Sequence, residues 1–182
     1  DIEGDAAARE RLHALLAGAD VLVESFDPGV MASLGLGYEQ IKDRYPHLVY
    51  ASVSPYGQDG PWANRPATDL TIEAAGGLVG LQGDGDRPPI PVGYPQASFH
   101  GGLQAAADVV VALYERERSG LGQHIDVSQQ ATIVWTLMNA TGFPPNTGGD
   151  PPGTGAARAT PLETATSRNW PAADGYVVFG VL

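Results

Sequence analysis

The segment HLVYASVSPYG, residues 47–57, decides the fold class of this chain. It is a mostly apolar run, rich in Val and Tyr, that stops at Pro55 and Gly57. A short run that is apolar on both faces is typical of a strand buried in a parallel sheet. The upstream segment ADVLVES, residues 19–25, has the same character. We therefore predict two buried strands of one sheet.

Helical patterns surround these two strands. We predict helices over residues 6–17 (N-capped by Asp5), from Val30, over 38–44, over 68–79 and over 101–119, then a strand at 124–127 and a helix capped by Ser128. In the helix at 101–119, the buried stripe is predicted at Leu103, Ala106, Val110 and Leu113. Helices that alternate with strands across short loops indicate an α/β fold with a parallel sheet.

Glycine and proline divide the chain. The 24 Gly and 15 Pro residues concentrate in residues 59–66, 83–95 and 143–155, which we predict to be loops or linkers. We assign residues 1–142 to a large-domain portion, 143–172 to a linker or lid, and 173–182 to the start of a smaller domain, where a strand begins near Asp174. The chain opens and closes in the middle of predicted elements, so we expect it to be the central part of a larger protein.

The composition excludes several classes of function. The net charge of −11 argues against a general nucleic-acid surface, which needs clustered Lys and Arg. No apolar run approaches the roughly 20 residues of a membrane span. The absence of cysteine excludes disulfides and thiol catalysis, and a cytoplasmic location is the expectation. The four histidines have no metal-binding spacing, so we expect no metal site.

Four segments, in this order and spacing, carry a family resemblance. They are residues 19–70, AAGGLVGLQG at 74–83, ALYERERSGLGQHIDVS at 112–128 and ADGYVVFG at 173–180. Together they resemble the family III CoA-transferases, the CaiB/BaiF type, a group that includes formyl-CoA transferases and α-methylacyl-CoA racemases.

The resemblance implies a fold and an activity. Members have a Rossmann-like large domain and a smaller domain, and two protomers interlock like chain links. They move CoA between an acyl-CoA and a carboxylic acid. An aspartate attacks the acyl-CoA thioester and forms an anhydride and then an aspartyl-CoA thioester, which is nucleophilic catalysis by a carboxylate. An interlocked homodimer acting on small acyl-CoA and carboxylate substrates is therefore expected.

The resemblance also assigns residues to CoA binding. Family members contact CoA through an Asn-Phe-Arg-Pro-Gly-like turn after the first strand, which here reads Ser25, Phe26, Asp27, Pro28, Gly29. Asp27 stands where the family has a basic residue. Arg65 lies close to a basic CoA contact of the family. From the residues alone, an ordinary connecting turn and a solvated surface Arg remain the alternatives.

The family's nucleophile falls on Ser98, within SFHGG at residues 98–102. The histidine that racemases also use falls on Thr68, so racemisation by that route is not expected. From the residues, Ser98 is predicted to cap the following helix or to seat an anion. Nucleophilic serine chemistry with a base such as His100 is the alternative, and it needs that base within about 3 Å. A non-catalytic CoA-binding or assembly subunit is the alternative to an active CoA-transferase.

Two acidic positions and one loop complete the candidates. Asp69 begins a predicted helix, where N-capping explains it. Asp84 and Asp86 are too few ligands for a calcium loop, and a solvated turn is the preferred interpretation. The glycine-rich run PNTGGDPPGTGAA, residues 145–157, is predicted to be either a mobile lid, as in the family, or a linker.

Overall fold

The computed structural model describes residues 4–82, 88–138 and 169–178 of the 182. Its elements, in chain order, are α1 (Ala6–Leu16), β1 (Val21–Glu24), α2 (Val30–Ser33), α3 (Tyr38–Ile41), β2 (Val49–Ser54), α4 (Asp69–Ala75), a 3-10 turn (Val79–Leu81), α5 (Gln96–Ser119), β3 (His124–Ser128), α6 (Gln129–Thr136), β4 (Asn169–Ala172) and β5 (Gly175–Val178). The predicted alternation of helices and strands is confirmed.

Strands β1, β2 and β3 form a parallel sheet with β2 in the centre. Val21 lies opposite Val49, and Tyr50 lies opposite His124. Every residue of β2 is buried, because helices cover both of its faces. The predicted α/β fold with a parallel sheet and flanking helices is thereby confirmed.

The described part of the chain buries apolar side chains on both faces of the sheet. One cluster joins α1, the α2–α3 segment and β2; its buried members are Leu16, Leu36, Ile41, Tyr45, Leu48 and Tyr50. On the other face, Ala105 of α5 packs against Val53 and Val127 of the sheet. A third cluster joins α4, α5 and α6 through Ile72, Ala97 and Ile133. Helices α4, α5 and α6 therefore form one packed layer.

Helix α5 packs through small residues rather than through the predicted stripe. Its buried residues are Ala97, Gly101, Ala105 and Ala112. The predicted stripe was wrong: Leu103 and Val110 are 69% and 66% exposed. Small side chains let the helix axis lie close to the sheet. The larger apolar side chains of the opposite face, Leu103, Val110, Val111 and Tyr114, are left on the surface.

An arginine anchors the far end of α5 to the sheet. The Arg116 guanidinium donates to the backbone carbonyl of His47 at 2.9 Å. It also pairs with the Asp20 carboxylate at 2.7 Å. Asp20 and His47 lie just before β1 and β2 respectively, so one side chain fixes α5 against the starts of both strands.

The helix ends confirm some predicted caps and correct others. Asp5 accepts hydrogen bonds from the backbone of Ala7 and Ala8, and Ser128 accepts one from Ala131, as predicted. Helix α4 is capped by Thr68, not by Asp69. Ser98 is not a cap either, because α5 begins five residues earlier than predicted, at Gln96 after Pro95.

The last described elements form an antiparallel pair. Asn169 of β4 lies opposite Val178 of β5. The sequence predicts the second of these strands but not the first. Most of the predicted linker or lid lies outside the described residues. Among the helices that the structure describes, none has the length and apolar character needed to cross a membrane.

Candidate functional site

A groove lies beyond the carboxyl ends of β1 and β2. Its lining comes from the turn after β1, from the residue that follows β2 and from the next loop; these residues are Asp27, Pro28, Pro55, Ala63, Asn64, Arg65 and Pro66. Its volume is about 210 Å³. Open α/β sheets bind ligands in the crevice outside the carboxyl ends of their strands. The groove is therefore where this fold most readily takes a small molecule.

Two of the predicted CoA contacts meet in this groove. Pro28 and Arg65, 37 positions apart in the sequence, line it together. Asp27 lines it as well. The Arg65 guanidinium lies over the Trp62 ring, 4.5 Å from its centroid, so it is held in place by a cation–π contact.

The remaining predicted CoA contacts lie beside the groove. Ser25 and Phe26 are exposed at the end of β1, and the Phe26 ring is 53% exposed. The Phe26 backbone N–H donates to the Glu24 carboxylate at 2.9 Å. Gly29 has a φ of 88° and precedes α2, which is a single turn. The glycine allows the tight reversal that brings Pro28 into the groove.

Ser98 lies in the first turn of α5 and contacts α4. Its hydroxyl donates a 2.9 Å hydrogen bond to Asp69 Oδ1. The same carboxylate oxygen accepts the Ser98 backbone N–H at 2.9 Å, and Asp69 Oδ2 accepts the Ala97 N–H at 3.4 Å. Asp69 thus satisfies free N–H groups at the start of α5 from a neighbouring helix. This explains why Ser98 is not needed as a cap.

A second carboxyl group supports Asp69. Glu73 lies one turn along α4 and is 2% exposed. Its Oε1 accepts the Gln96 backbone N–H at 3.3 Å, and no described residue completes a well-aligned hydrogen bond to its Oε2. The carboxyl groups of Asp69 and Glu73 lie close enough for each to shift the pKa of the other.

The pKa values of the two carboxyl groups are shifted in opposite directions. Burial raises the pKa of Glu73, and its hydrogen bond with Asp69 raises it further. Burial also acts to raise the pKa of Asp69, but hydrogen bonds from Glu73 and from Ser98 outweigh it and lower that pKa. Of the two carboxyl groups, Asp69 is therefore the more acidic, and it is the first to carry a negative charge as pH rises.

His100 is not placed to serve Ser98. It lines a different groove between α5 and α6, together with Leu103, Thr132 and Trp135. Two residues apart on a helix, the side chains of Ser98 and His100 point to different faces. The side chain that accepts the hydrogen bond of the Ser98 hydroxyl is that of Asp69.

Sequence reasoning missed Asp69 and Glu73 as partners of position 98. Their i, i+4 spacing in the predicted helix was the available signal, since it places two carboxyl groups on one face. The 29 positions between Asp69 and Ser98 gave no local sign of their contact. Asp84 and Asp86 lie outside the described residues. Within the described ranges, no group of three or more His, Cys, Asp or Glu side chains is arranged to hold a metal ion.

Comparisons with known proteins agree with this architecture. Acetyl-CoA:oxalate CoA-transferase of Acetobacter aceti is 43% identical over 137 residues, which is 70% of this chain and 34% of that protein. The BbsE subunit of succinyl-CoA:(R)-benzylsuccinate CoA-transferase from Thauera aromatica is 37% identical over 181 residues, 97% of this chain and 42% of that protein.

Solved structures also include relatives of this chain. A CAIB/BAIF family protein from Brucella suis superposes with a TM-score of 0.84 at 33% identity, over 97% of this chain and 46% of that one. The chain thus spans less than half the length of each of these relatives. The family model of CoA-transferase family III matches residues 3–182. On this match and these relatives, the chain belongs to CoA-transferase family III.

Proposed function

We propose that this chain binds the CoA part of an acyl-CoA in the groove beside Arg65, within a protein that moves CoA between an acyl-CoA and a carboxylic acid. The observation that carries the proposal is the meeting of Pro28 and Arg65 in one groove at the carboxyl edge of the sheet. The resemblance assigns both residues to CoA, and their convergence is what a shared ligand requires.

The groove has the chemistry for an adenine nucleotide. Arg65 supplies a fixed positive charge for a phosphate, and Trp62 holds its guanidinium. The exposed Phe26 ring offers an apolar face beside the groove. Asp27 adds a negative charge to the lining, which weakens attraction for phosphate. We therefore expect modest CoA affinity that depends on Arg65.

In this proposal Ser98 occupies the position of the family's aspartate nucleophile. Transfer of CoA through an anhydride requires a carboxylate, which a serine hydroxyl does not supply. That difference favours a second candidate function, a CoA-binding or assembly subunit without transferase activity. If the protein is a transferase, the carboxylate comes from another part of a longer or paired chain. If it is a CoA-binding or assembly subunit, no such carboxylate is needed.

We further propose that the protein is a cytoplasmic, interlocked homodimer. The exposed apolar face of α5, formed by Leu103, Val110, Val111 and Tyr114, supports an assembly that covers it.

Calorimetry with CoA tests the binding site. Arg65→Ala should weaken CoA binding about tenfold, the effect of losing one charge-assisted contact. Arg44→Ala is the matched control, because the Arg44 guanidinium also lies over an aromatic ring, that of Tyr45, but outside the groove. Asp27→Asn should bind CoA at least as tightly as wild type. Equal affinities for the Arg65 and Arg44 variants would place CoA elsewhere.

Exchange of labelled CoA between an acyl-CoA and a free carboxylic acid separates the two candidate functions. A transferase gives exchange that depends on the added acid. Binding of CoA without any exchange excludes the transferase. Substitution Ser98→Asp restores the family's nucleophile, so it should raise exchange in the second case.

A further inference from the structure

The most distinctive polar cluster in the described residues lies at the junction of α4 and α5. It contains a hydroxyl and two carboxyl groups: those of Ser98, Asp69 and Glu73. The Ser98 side chain is exposed, so a substrate can reach it, whereas Glu73 is fully buried behind Asp69. From solvent to core, the order is therefore the Ser98 hydroxyl, the Asp69 carboxyl group and the Glu73 carboxyl group.

This order is the one that nucleophilic catalysis by serine requires. The nucleophile must donate a hydrogen bond to a base, and a third group must orient the base. Ser98 Oγ donates to Asp69 Oδ1 at 2.9 Å. The backbone N–H groups of Ala97 and Ser98 fix the Asp69 carboxylate in place, and the Glu73 carboxyl group lies beside it.

We propose that Ser98 is a nucleophile, Asp69 its general base and Glu73 a positioning residue, and that together they hydrolyse acyl thioesters. The proposal rests on the acyl-CoA binding of the proposed function, and it adds an activity other than CoA transfer.

The first step forms an ester on Ser98. The hydroxyl oxygen attacks the thioester carbonyl carbon while its proton passes to Asp69. The new C–O bond forms as the C–S bond breaks. The CoA sulfur then takes the proton from Asp69 and leaves as the free thiol.

The second step hydrolyses the acyl-serine and regenerates the free enzyme. Water attacks the ester carbonyl and gives a proton to Asp69. The bond to Ser98 Oγ breaks, and that oxygen recovers the proton. The net reaction converts one acyl-CoA and one water into a carboxylic acid and free CoA, with no oxidation or reduction.

The geometry favours Ser98 over Asp69 as the attacking group. Oδ1 of Asp69 already accepts two hydrogen bonds, from the backbone and from the hydroxyl of Ser98. Its Oδ2 accepts the Ala97 N–H. Attack by Asp69 would break these contacts, whereas attack by Ser98 Oγ uses the hydrogen bond that is present. Because a carboxylate of low pKa is a weak base, we expect slow turnover.

The fate of the ester follows from its chemistry. An acyl-serine is an oxygen ester, which is less reactive than the anhydride that carries CoA transfer in the family. A carboxylic acid attacking it would have to form an anhydride from an ester, which is energetically uphill. Water is therefore the acceptor at this site.

The test uses the full-length protein with acetyl-CoA and succinyl-CoA as probes. Release of free CoA is followed with a thiol reagent, and this chain contributes no cysteine to the signal. Rapidly quenched samples are digested, and the peptide that contains Ser98 is examined for an added acyl group. We expect thiol release without an added carboxylic acid, and an acyl mass on Ser98.

Variants assign the roles. Ser98→Ala and Asp69→Asn should each lower hydrolysis at least about 100-fold. Ser119→Ala is the matched control: its hydroxyl also donates to a carboxylate, Glu115, at 3.1 Å at the other end of α5. Glu73→Leu should lower kcat with little change in KM, and Glu73→Gln should retain most activity because an amide can still donate to Asp69.

Three results would overturn the proposal. One is an acyl group found on Asp69, and another is hydrolysis that survives Ser98→Ala. The third is CoA binding with neither thiol release nor an acyl adduct, which leaves the binding proposal intact. Failure of acyl-CoA to bind at all removes the proposed function and this activity together. Thermal unfolding of each variant shows whether activity is lost because a side chain is removed or because the protein no longer folds.

Discussion

Neighbouring glycines on α5 give a direct test of how this helix packs. Gly101 is buried against the sheet, and a Cβ atom added there would lie 2.8 Å from Gln129 Cγ and 3.5 Å from Val53 Cγ1. At Gly102, no heavy atom lies within 4 Å of an added Cβ. The two substitutions to Ala therefore make the same chemical change in different surroundings.

The expected effects differ in sign. Replacing glycine by alanine inside a helix contributes about 1 kcal/mol to the free energy of unfolding at either position. At Gly101 the contact below 3 Å displaces the Gln129 side chain, and overpacking of this kind costs about 1–3 kcal/mol. Gly102→Ala should thus stabilise the protein by up to about 1 kcal/mol. Gly101→Ala should be neutral or destabilise it by up to about 2 kcal/mol.

Urea unfolding with a common m value measures both changes. A difference of about 2 kcal/mol between the variants corresponds to about 4–8 °C in Tm for a domain of this size. If the two variants change stability equally, Gly101 is not packed against Gln129 of α6 as the structure has it. A more stable Gly101→Ala than Gly102→Ala would mean that the opposite, leucine-bearing face is the packed one.

Two further predictions concern charged groups. The pKa of Glu73 is raised above its ordinary 4.5 in the folded state, so on raising the pH the unfolded state loses this proton first. The free energy of unfolding therefore falls as pH rises from about 4.5 through the pKa of the folded state. Glu73→Gln should remove that fall. The free energy of unfolding of this variant should therefore equal that of the wild type near pH 4 and exceed it increasingly toward pH 8. A difference between variant and wild type that does not depend on pH would contradict the raised pKa of Glu73. Arg116→Lys loses the fork that joins His47 and Asp20, and should cost about 1–2 kcal/mol in urea unfolding. Asp20→Asn should cost less than about 1 kcal/mol, because the Asp20 side chain is 73% exposed, and a larger cost there than at Arg116 would refute this ranking.

The sheet was predictable because its central strand leaves a strong local signal. All six residues of β2 are buried, and the sequence shows this as an apolar run without alternation. The capping residues Asp5 and Ser128 were predictable for a similar reason, since a cap acts within three residues of its own position.

The face of α5 was not predictable from hydrophobicity. The helix has two apolar faces, one of large and one of small side chains, and the pattern favours the larger. The small residues Gly101 and Ala105 nonetheless face the sheet, because close approach of a helix to a sheet depends on side-chain volume. Leu103 and Val110 stay exposed on the opposite face of the helix.

The surroundings of Ser98 were predictable only in part. The resemblance singled out Ser98 as a candidate, and the residue type suggested a cap. The actual helix start is stabilised by Asp69 from another helix, so the nearby local signal was misleading. Contacts between residues distant in sequence depend on tertiary packing, here of α4 against α5 and α6 through Ile72, Ala97 and Ile133.

The carboxyl pair at the start of α5 has a consequence for selectivity. The positive end of a long helix ordinarily attracts an anion, but here Asp69 and Glu73 already accept its N–H groups. A dicarboxylate approaching Ser98 would meet a neutralised helix end and one resident negative charge. An uncharged reactant meets no such repulsion. For the reaction proposed at Ser98, we therefore expect that water reaches the serine more readily than a negatively charged acid does.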